Sequence, residues 1–396
     1  MGKSYSKTLV ACYLGLITQA ICANFAPLLY ITFHRDYGIS LGNIALISTV
    51  LFLTQLIVDV LCARFVDRIG YRKSIVASCL CSALGLIGLA FLPELLANPF
   101  SGILISIVIY AVGSGLVEVL CSPIVEACPF ENKDAVMSLL HSFYCWGCVV
   151  VIVLSTAFFA LFGINHWRLL ACLWAIVPVY NVYNFATCPI PHPASDGKGM
   201  PISGLLRVPM FWAAIVLMIC AGASELSMAQ WASAYVESAV GLPKTVGDLA
   251  GPCLFATAMG ISRMLYGKLG SRMRLTHFMF FSAGLCLACY LLAALSGLPI
   301  VGLIGCILCG FSVGILWPGT ISISSQRLPQ GGTAMFALLA MAGDLGGAFG
   351  PWLVGNISQL TGNRLERGLL AGSLFPLILV LALAAFHSLS GKSRQV

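Results

Sequence analysis

Charge is what this sequence has least of. Only 9% of its 396 residues are Asp, Glu, Lys or Arg, while 59% are hydrophobic. A water-soluble domain carries about 25% charged residues, so the charge here is too sparse to coat a water-facing surface of this size. The plain reading is a chain that crosses a bilayer many times. Other things are missing as well. There is no G-x-x-x-x-G-K-[ST] phosphate loop and no H-E-x-x-H zinc helix, which leaves ATP-driven transport and zinc hydrolysis without support. The C-x-x-C pairs of the chain lie inside apolar runs rather than in a polar, loop-borne setting, and no cofactor or metal is expected. After M-G-K-S-Y-S-K the chain is apolar from Thr8 to Phe33. That is too long for the apolar core of a signal peptide, and it reads as a first spanning helix.

What is present is a series of apolar segments. A span needs about 20 such residues, and that ruler marks twelve: 8–33, 41–66, 74–94, 100–128, 134–163, 167–188, 208–238, 246–270, 276–296, 299–325, 332–361 and 368–389. With the N-terminus in the cytoplasm, fifteen of the 21 Lys and Arg residues fall on the cytoplasmic side, among them Arg64, Arg68, Arg72, Lys73, Arg272 and Arg274. Arg35, Arg168, Lys244, Arg364 and Arg367 fall outside, and Arg263 lies within a span. Such a bias sets orientation and places both termini in the cytoplasm. It also accounts for the net charge of +7 without any nucleic-acid partner. The Pro/Gly/Ser-rich stretch 189–207 reads as a linker between two six-helix bundles, 1–188 and 208–396.

The 17 cysteines fall almost entirely inside apolar runs. This includes the C-x-x-C pairs Cys145/Cys148, Cys286/Cys289 and Cys306/Cys309. They read as small, polarizable packing residues.

The two halves echo each other. Asp67-Arg68-Ile69-Gly70-Tyr71-Arg72 follows the second span, and Gly267-Lys268-Leu269-Gly270-Ser271-Arg272 follows the eighth. Gly115 precedes Pro123 in the fourth span as Gly310 precedes Pro318 in the tenth, which predicts the same bend in both halves. Val313 stands where Glu118 does, so the carboxylate belongs to one half only. Parallel six-helix repeats with a substrate near the midplane are the plan of one large transporter fold.

The segment Arg64-Phe-Val-Asp67-Arg68-Ile-Gly70-Tyr-Arg72-Lys73 is similar to the signature loop of the major facilitator superfamily, with Ala63 where that loop usually opens with Gly. The resemblance covers the whole chain. It implies that Asp67, Arg68 and Arg72 help to lock the second helix against the eleventh in one state. Within the superfamily the chain most resembles the fucose permease group of sugar–proton symporters. Three places carry this. Glu118 lies five residues before Pro123. Leu139-Leu140-His141-Ser142-Phe143 is followed by Gly147. Trp317-Pro318 is followed by Gly346-Gly347-Ala348-Phe349-Gly350-Pro351. The permease has an acid in its first span, but this chain has Ala23-Asn24-Phe25-Ala26-Pro27 there. That puts fucose itself, and a copied two-acid mechanism, in doubt.

A charge at the centre of a spanning helix costs about 2.5–3.5 kcal/mol on insertion scales, so each one needs a reason. Glu118 lies about eleven residues before Pro129. At 1.5 Å per residue that is roughly 16 Å deep, close to the midplane of a core of about 30 Å. Pro123 leaves the Val119 carbonyl without its intrahelical donor, and a free carbonyl beside an acid suits a polar site. Glu118 is the candidate proton-coupling group, and His141 on the fifth span is a second candidate because imidazole exchanges protons near neutral pH. Structural hydrogen bonding is the competing reading for both.

Glu126 lies about 80° around the helix from Glu118 and reads as an interfacial or loop-pairing acid, with a gating role as the alternative. Asp59, Arg263 and Asp344 read as structural or gating charges, although Arg263 would also suit an anionic substrate. Glu225, followed by Gln230 and Trp231, sits on a seventh span that should line a cavity. Asn24 and Trp317 complete the candidate substrate contacts. The glycines from Gly343 to Gly350, with Gly310 and Gly314, fit small-xxx-small helix packing.

These expectations describe an all-α secondary transporter in a bacterial cytoplasmic membrane. It would take up a small polar solute together with protons and work as a monomer. A proton-driven exporter of drugs or metabolites, or a membrane sensor that moves nothing, are the alternatives.

Overall fold

A computed structural model of the chain describes residues 5–39, 41–191, 200–235, 244–270, 272–362 and 364–392. Part of the expected linker (192–199), the end of the seventh segment (236–238) and the basic residues Lys3, Lys198 and Arg394 lie outside them. The described residues are helical and contain no strand. In chain order the helices are α1 (Ser6–Asn24), α2 (Tyr30–Tyr37), α3 (Leu41–Ile69), α4 (Tyr71–Leu95), α5 (Pro99–Ala127), α6 (Lys133–Phe162), α7 (Trp167–Thr187) and α8 (Ile202–Leu205). They continue as α9 (Pro209–Tyr235), α10 (Lys244–Leu269), α11 (Leu275–Leu295), α12 (Pro299–Val313), α13 (Leu316–Arg327), α14 (Gly332–Leu360), α15 (Leu365–Gly372) and α16 (Leu374–Lys392).

Among the described residues, eleven helical segments are long and apolar enough to cross a membrane. The expected eighth segment forms α10. Its 26 residues would reach about 39 Å, but Lys244, Asp248, Arg263 and Lys268 keep it from being as apolar as the rest.

Three expected spans are interrupted, each at a proline or a small residue. The first gives way to a short 3-10 turn at Ala26–Leu29, because Pro27 has no amide hydrogen for the preceding turn. The tenth divides into α12 and α13 at Gly314 and Ile315, just before Pro318. The last divides at Ser373, three residues before Pro376. The two prolines differ in effect: α5 runs unbroken past Pro123, whereas the tenth span breaks before Pro318. The signature loop shrinks to a single joint, Gly70, with φ of +95°. That is a conformation glycine adopts at little cost, and it lets α3 and α4 meet directly.

The chain divides into two compact units, Met1–Pro129 with Phe143–Ala194, and Phe130–Ser142 with Ser195–Val396. In the first, α4 lies against α5 and α7, and α5 also meets α1 and α3. The α4–α5 seam is close because glycines face it. A Cβ on Gly85 would strike Tyr110, and one on Gly102 would overlap the Leu92 carbonyl carbon at 2.6 Å. At one end of this unit Phe25, Leu29 and Phe33 pack with Trp167, the rings of Phe33 and Trp167 meeting edge to face at 5.5 Å. Arg168 ties three elements together there. It donates to Glu94 at the end of α4 and, at 2.9 Å, to the Tyr37 hydroxyl at the end of α2.

In the second unit α9 is the central helix, touching α10, α12, α14 and α16. The α9–α14 seam is a glycine seam, as the sequence predicts. A Cβ on Gly346 would collide with the Ile219 carbonyl, one on Gly222 with the Gly343 carbonyl, and one on Gly350 with Ser227. Backbones this close give dispersion contacts that bulkier residues would forbid.

Candidate functional site

Among the described residues, both units carry polar side chains inside their apolar helices. In the first, Glu118 projects from α5 and is partly buried. It lies nine residues before the end of that helix, about 13 Å along it. Gln19 of α1 donates its amide Nε2 hydrogen to Glu118 Oε2 at 2.8 Å. The two helices approach closely here because Gly15, one turn earlier on α1, leaves room for Cys121 and Val117 of α5. Asn24 ends α1 and donates to the Ala20 carbonyl at 2.9 Å and to Cys148 Sγ at 3.2 Å. Phe143 of α6 stacks on Tyr13 with ring centroids 3.9 Å apart and planes 10° from parallel. Asp59 of α3 is fully buried, and Glu126 is partly buried near the end of α5.

Asp67 and Arg68 are exposed at the end of α3. Arg72, the third residue of the expected lock, serves another helix within its own unit. Its guanidinium donates to the carbonyls of Phe185 (2.7 Å), Ala186 (2.7 Å) and Cys188 (2.8 Å). These are orphan acceptors at the C-terminus of α7, where a cation is also favoured by the helix dipole. Just beyond α7, burial pushes the Cys188 thiol up from its ordinary range.

In the second unit Arg263 of α10 is the centre. It is 3% exposed and bridges three elements. Nε donates to the Gly314 carbonyl at 2.7 Å, Nη1 to the His141 carbonyl at 2.9 Å, and Nη2 to Glu225 Oε2 at 3.3 Å. Ser138 of α6 returns a hydrogen bond to the Arg263 carbonyl at 2.8 Å. The Gly314 carbonyl is the one that Pro318, four residues on, cannot serve. The guanidinium therefore supplies the hydrogen bond that the helix break leaves open, and Glu225 supplies its countercharge. A buried ion pair is tolerated only when hydrogen bonds satisfy the rest of both groups, and the planar fork of Arg suits three acceptors in different directions.

His141 enters this cluster through its backbone, while its imidazole is buried beside the guanidinium. Trp317 lays its ring over Gly343 of α14. Trp231 donates its indole N–H to the Pro351 carbonyl at 3.1 Å and packs on Gly355, so its polar edge is engaged within the protein. Gln230 is exposed and Asp344 partly buried. The stretch Gly310-Phe311-Ser312-Val313-Gly314 has the spacing of a nucleophile elbow. It lies in α12 and its end rather than at a strand-to-helix turn, and Ser312 donates to the Cys309 carbonyl at 2.7 Å.

Sequence reasoning therefore names Glu118, Glu225, His141 and Arg263 and misses the groups that hold them: Gln19, Ser138 and the Gly314 carbonyl. A glutamine inside the apolar run L-G-L-I-T-Q-A-I-C was the available signal for Gln19. The cysteines are buried or half-buried and unbridged; the sulfurs of Cys286 and Cys309 lie 3.9 Å apart between α11 and α12.

An all-helical chain with long apolar segments and buried charges held between them defines a polytopic membrane protein of the transporter type. It belongs to the major facilitator superfamily, whose model matches residues 11–351. No curated protein sequence matches the chain. Among solved structures, FucP, the E. coli fucose:proton symporter, superimposes with a TM-score of 0.83 at 17% identity, covering 97% of this chain and 99% of that one. The proton:xylose symporter XylE gives 0.80 at 14% identity over 96% and 94% of the two chains. The human organic anion transporter MFSD10 gives 0.72 at 14% identity over 96% and 100%. The chain thus has the fold of these transporters, and members of its superfamily are transporters rather than enzymes.

Proposed function

We propose that this protein imports a small polar solute, a sugar or a related metabolite, together with protons. It does so by alternating access in a bacterial cytoplasmic membrane. The observation that carries this reading is the Glu118 carboxyl set inside α5 and hydrogen-bonded by Gln19 at 2.8 Å. An acid within a spanning helix is costly to keep ionised and gains a reason if it binds and releases a proton during each cycle. On this reading α10 is the twelfth spanning helix and both termini face the cytoplasm. The halves are 1–188 and 208–396, joined by 189–207, and the transporter works as a monomer.

The second cluster bears on the substrate. Arg263 is engaged by two carbonyls and by Glu225, so its charge is balanced within the protein and it is a poor receptor for an anion. Glu225 has a side chain 13% exposed and offers an acceptor suited to hydroxyl groups. Asn24 is the corresponding polar contact in the first unit. A thermal-shift screen of sugars, polyols, nucleosides, organic acids and amphiphiles tests this. Stabilisation by hydroxylated neutral solutes is expected, and stabilisation by organic acids alone contradicts it. Flux of the selected solute into proteoliposomes then separates the alternatives. An exporter moves it against an inward proton gradient, and a sensor binds it without flux.

A further inference from the structure

Gln19 stands on α1 with its amide against Glu118 of α5, at 2.8 Å and 9% exposed. In the coupling reading above, Glu118 alternates between an ionised form that only accepts hydrogen bonds and a protonated form that also donates one. A pure donor such as Lys or Trp would serve the first form but offer the O–H of the second no acceptor. A primary amide carries donors and an acceptor on one planar group, and a half-turn about its terminal torsion exchanges them. Gln19 offers N–H to the carboxylate and C=O to the acid O–H, so the two groups can hydrogen-bond to each other in either form.

The neighbouring helices of this unit carry few titratable groups. Between Lys7 and His34 the first span contains only thiols and phenols as titratable groups: Cys12, Tyr13, Cys22 and Tyr30. Helix α4 contributes Cys79 and Cys81 between Lys73 and Glu94, and α3 contributes Asp59 and Cys62 before Arg64. On α5 itself the other titratable groups are Tyr110, Cys121 and Glu126, and α6 adds Tyr144, Cys145 and Cys148 within the same unit. A basic side chain is absent from all these stretches.

We propose that Gln19 is the positioning residue of the coupling acid: it holds Glu118 in one place through both protonation states and sets the pH at which the proton is exchanged. The inference rests on the coupling role of Glu118. The hydrogen bond to the ionised form is about twice as strong as that to the neutral form, so Gln19 favours ionisation, and its loss favours the bound proton.

A hydrophobic carbodiimide modifies protonated carboxyls in apolar surroundings, which gives a readout that needs no substrate. The full-length protein in detergent is labelled across a pH series, and modification of the Glu118 peptide is measured by mass spectrometry. Gln19→Leu should move the labelling midpoint up by about one pH unit. Gln19→Glu should move it further, because two adjacent carboxyls resist ionising together. A Leu midpoint equal to that of the unaltered protein overturns the proposal. If the Leu variant does not fold, an unchanged midpoint in the Glu variant overturns it. Proton-driven accumulation that survives Glu118→Gln, with the midpoints shifted as expected, removes the coupling role while the Gln19–Glu118 pairing stands.

Discussion

Arg263 donates its Nε hydrogen to the carbonyl of Gly314 at 2.7 Å, the carbonyl that Pro318 leaves without a donor. A side chain from α10 thereby completes the backbone of a broken helix two elements later in the chain. The break, the cation and its Glu225 partner are one unit of structure, and their energies should be coupled.

Arg263→Ala should destabilise the protein by about 3–5 kcal/mol, the usual cost of stranding one member of a buried ion pair. Adding Pro318→Ala restores an amide donor to Gly314, so the double variant should recover part of the loss. A coupling of about 0.5–3 kcal/mol between the two sites is expected for groups that share a hydrogen bond. Thermal melting of the four proteins in detergent checks this, and strict additivity would contradict the capture of the Gly314 carbonyl.

The glycine seam of the second unit makes a paired prediction. Gly346→Ala drives a methyl into the Ile219 carbonyl, and overpacking of this kind costs about 1–3 kcal/mol. Gly284→Ala on α11 meets nothing within 4 Å, and the gain in helix propensity is about 0.5–1 kcal/mol. The two variants should therefore melt on opposite sides of the parent.

Arg72 is exposed yet holds three carbonyls at the end of α7. Arg72→Gln should loosen that end and unmask Cys188. Burial raises the Cys188 thiol, so its thiolate is scarce near neutral pH, and alkylation should be slow and accelerate as pH rises. In Arg72→Gln the same alkylation, mapped by mass spectrometry, should be faster at every pH. An unchanged rate would mean that Arg72 does not fix this corner.

Much of the fold was legible because helix length and apolar content are local properties. The segments near 74–94, 100–128 and 276–296 appear as α4, α5 and α11 with ends shifted by a few residues. The seam at Gly343–Gly350 was legible for the same reason, since small residues one turn apart can only mark close approach. The breaks were harder to read. Pro123 and Pro318 look alike in sequence, but only the second meets a buried guanidinium that takes up the freed carbonyl. The pairing of Gln19 with Glu118 joins residues 99 positions apart. Nothing local to either residue encodes that contact, which depends on how α1 settles against α5 at Gly15. The same holds for Arg72, whose partners on α7 lie more than a hundred residues away.

The central claim is that Glu118 carries the coupled proton. Its most direct measurement is uptake into proteoliposomes under an imposed proton gradient, using the solute chosen by thermal shift. The parent protein should accumulate the solute, while Glu118→Gln should lose accumulation and keep solute exchange. A Glu118→Gln protein that accumulates solute as the parent does would contradict the account.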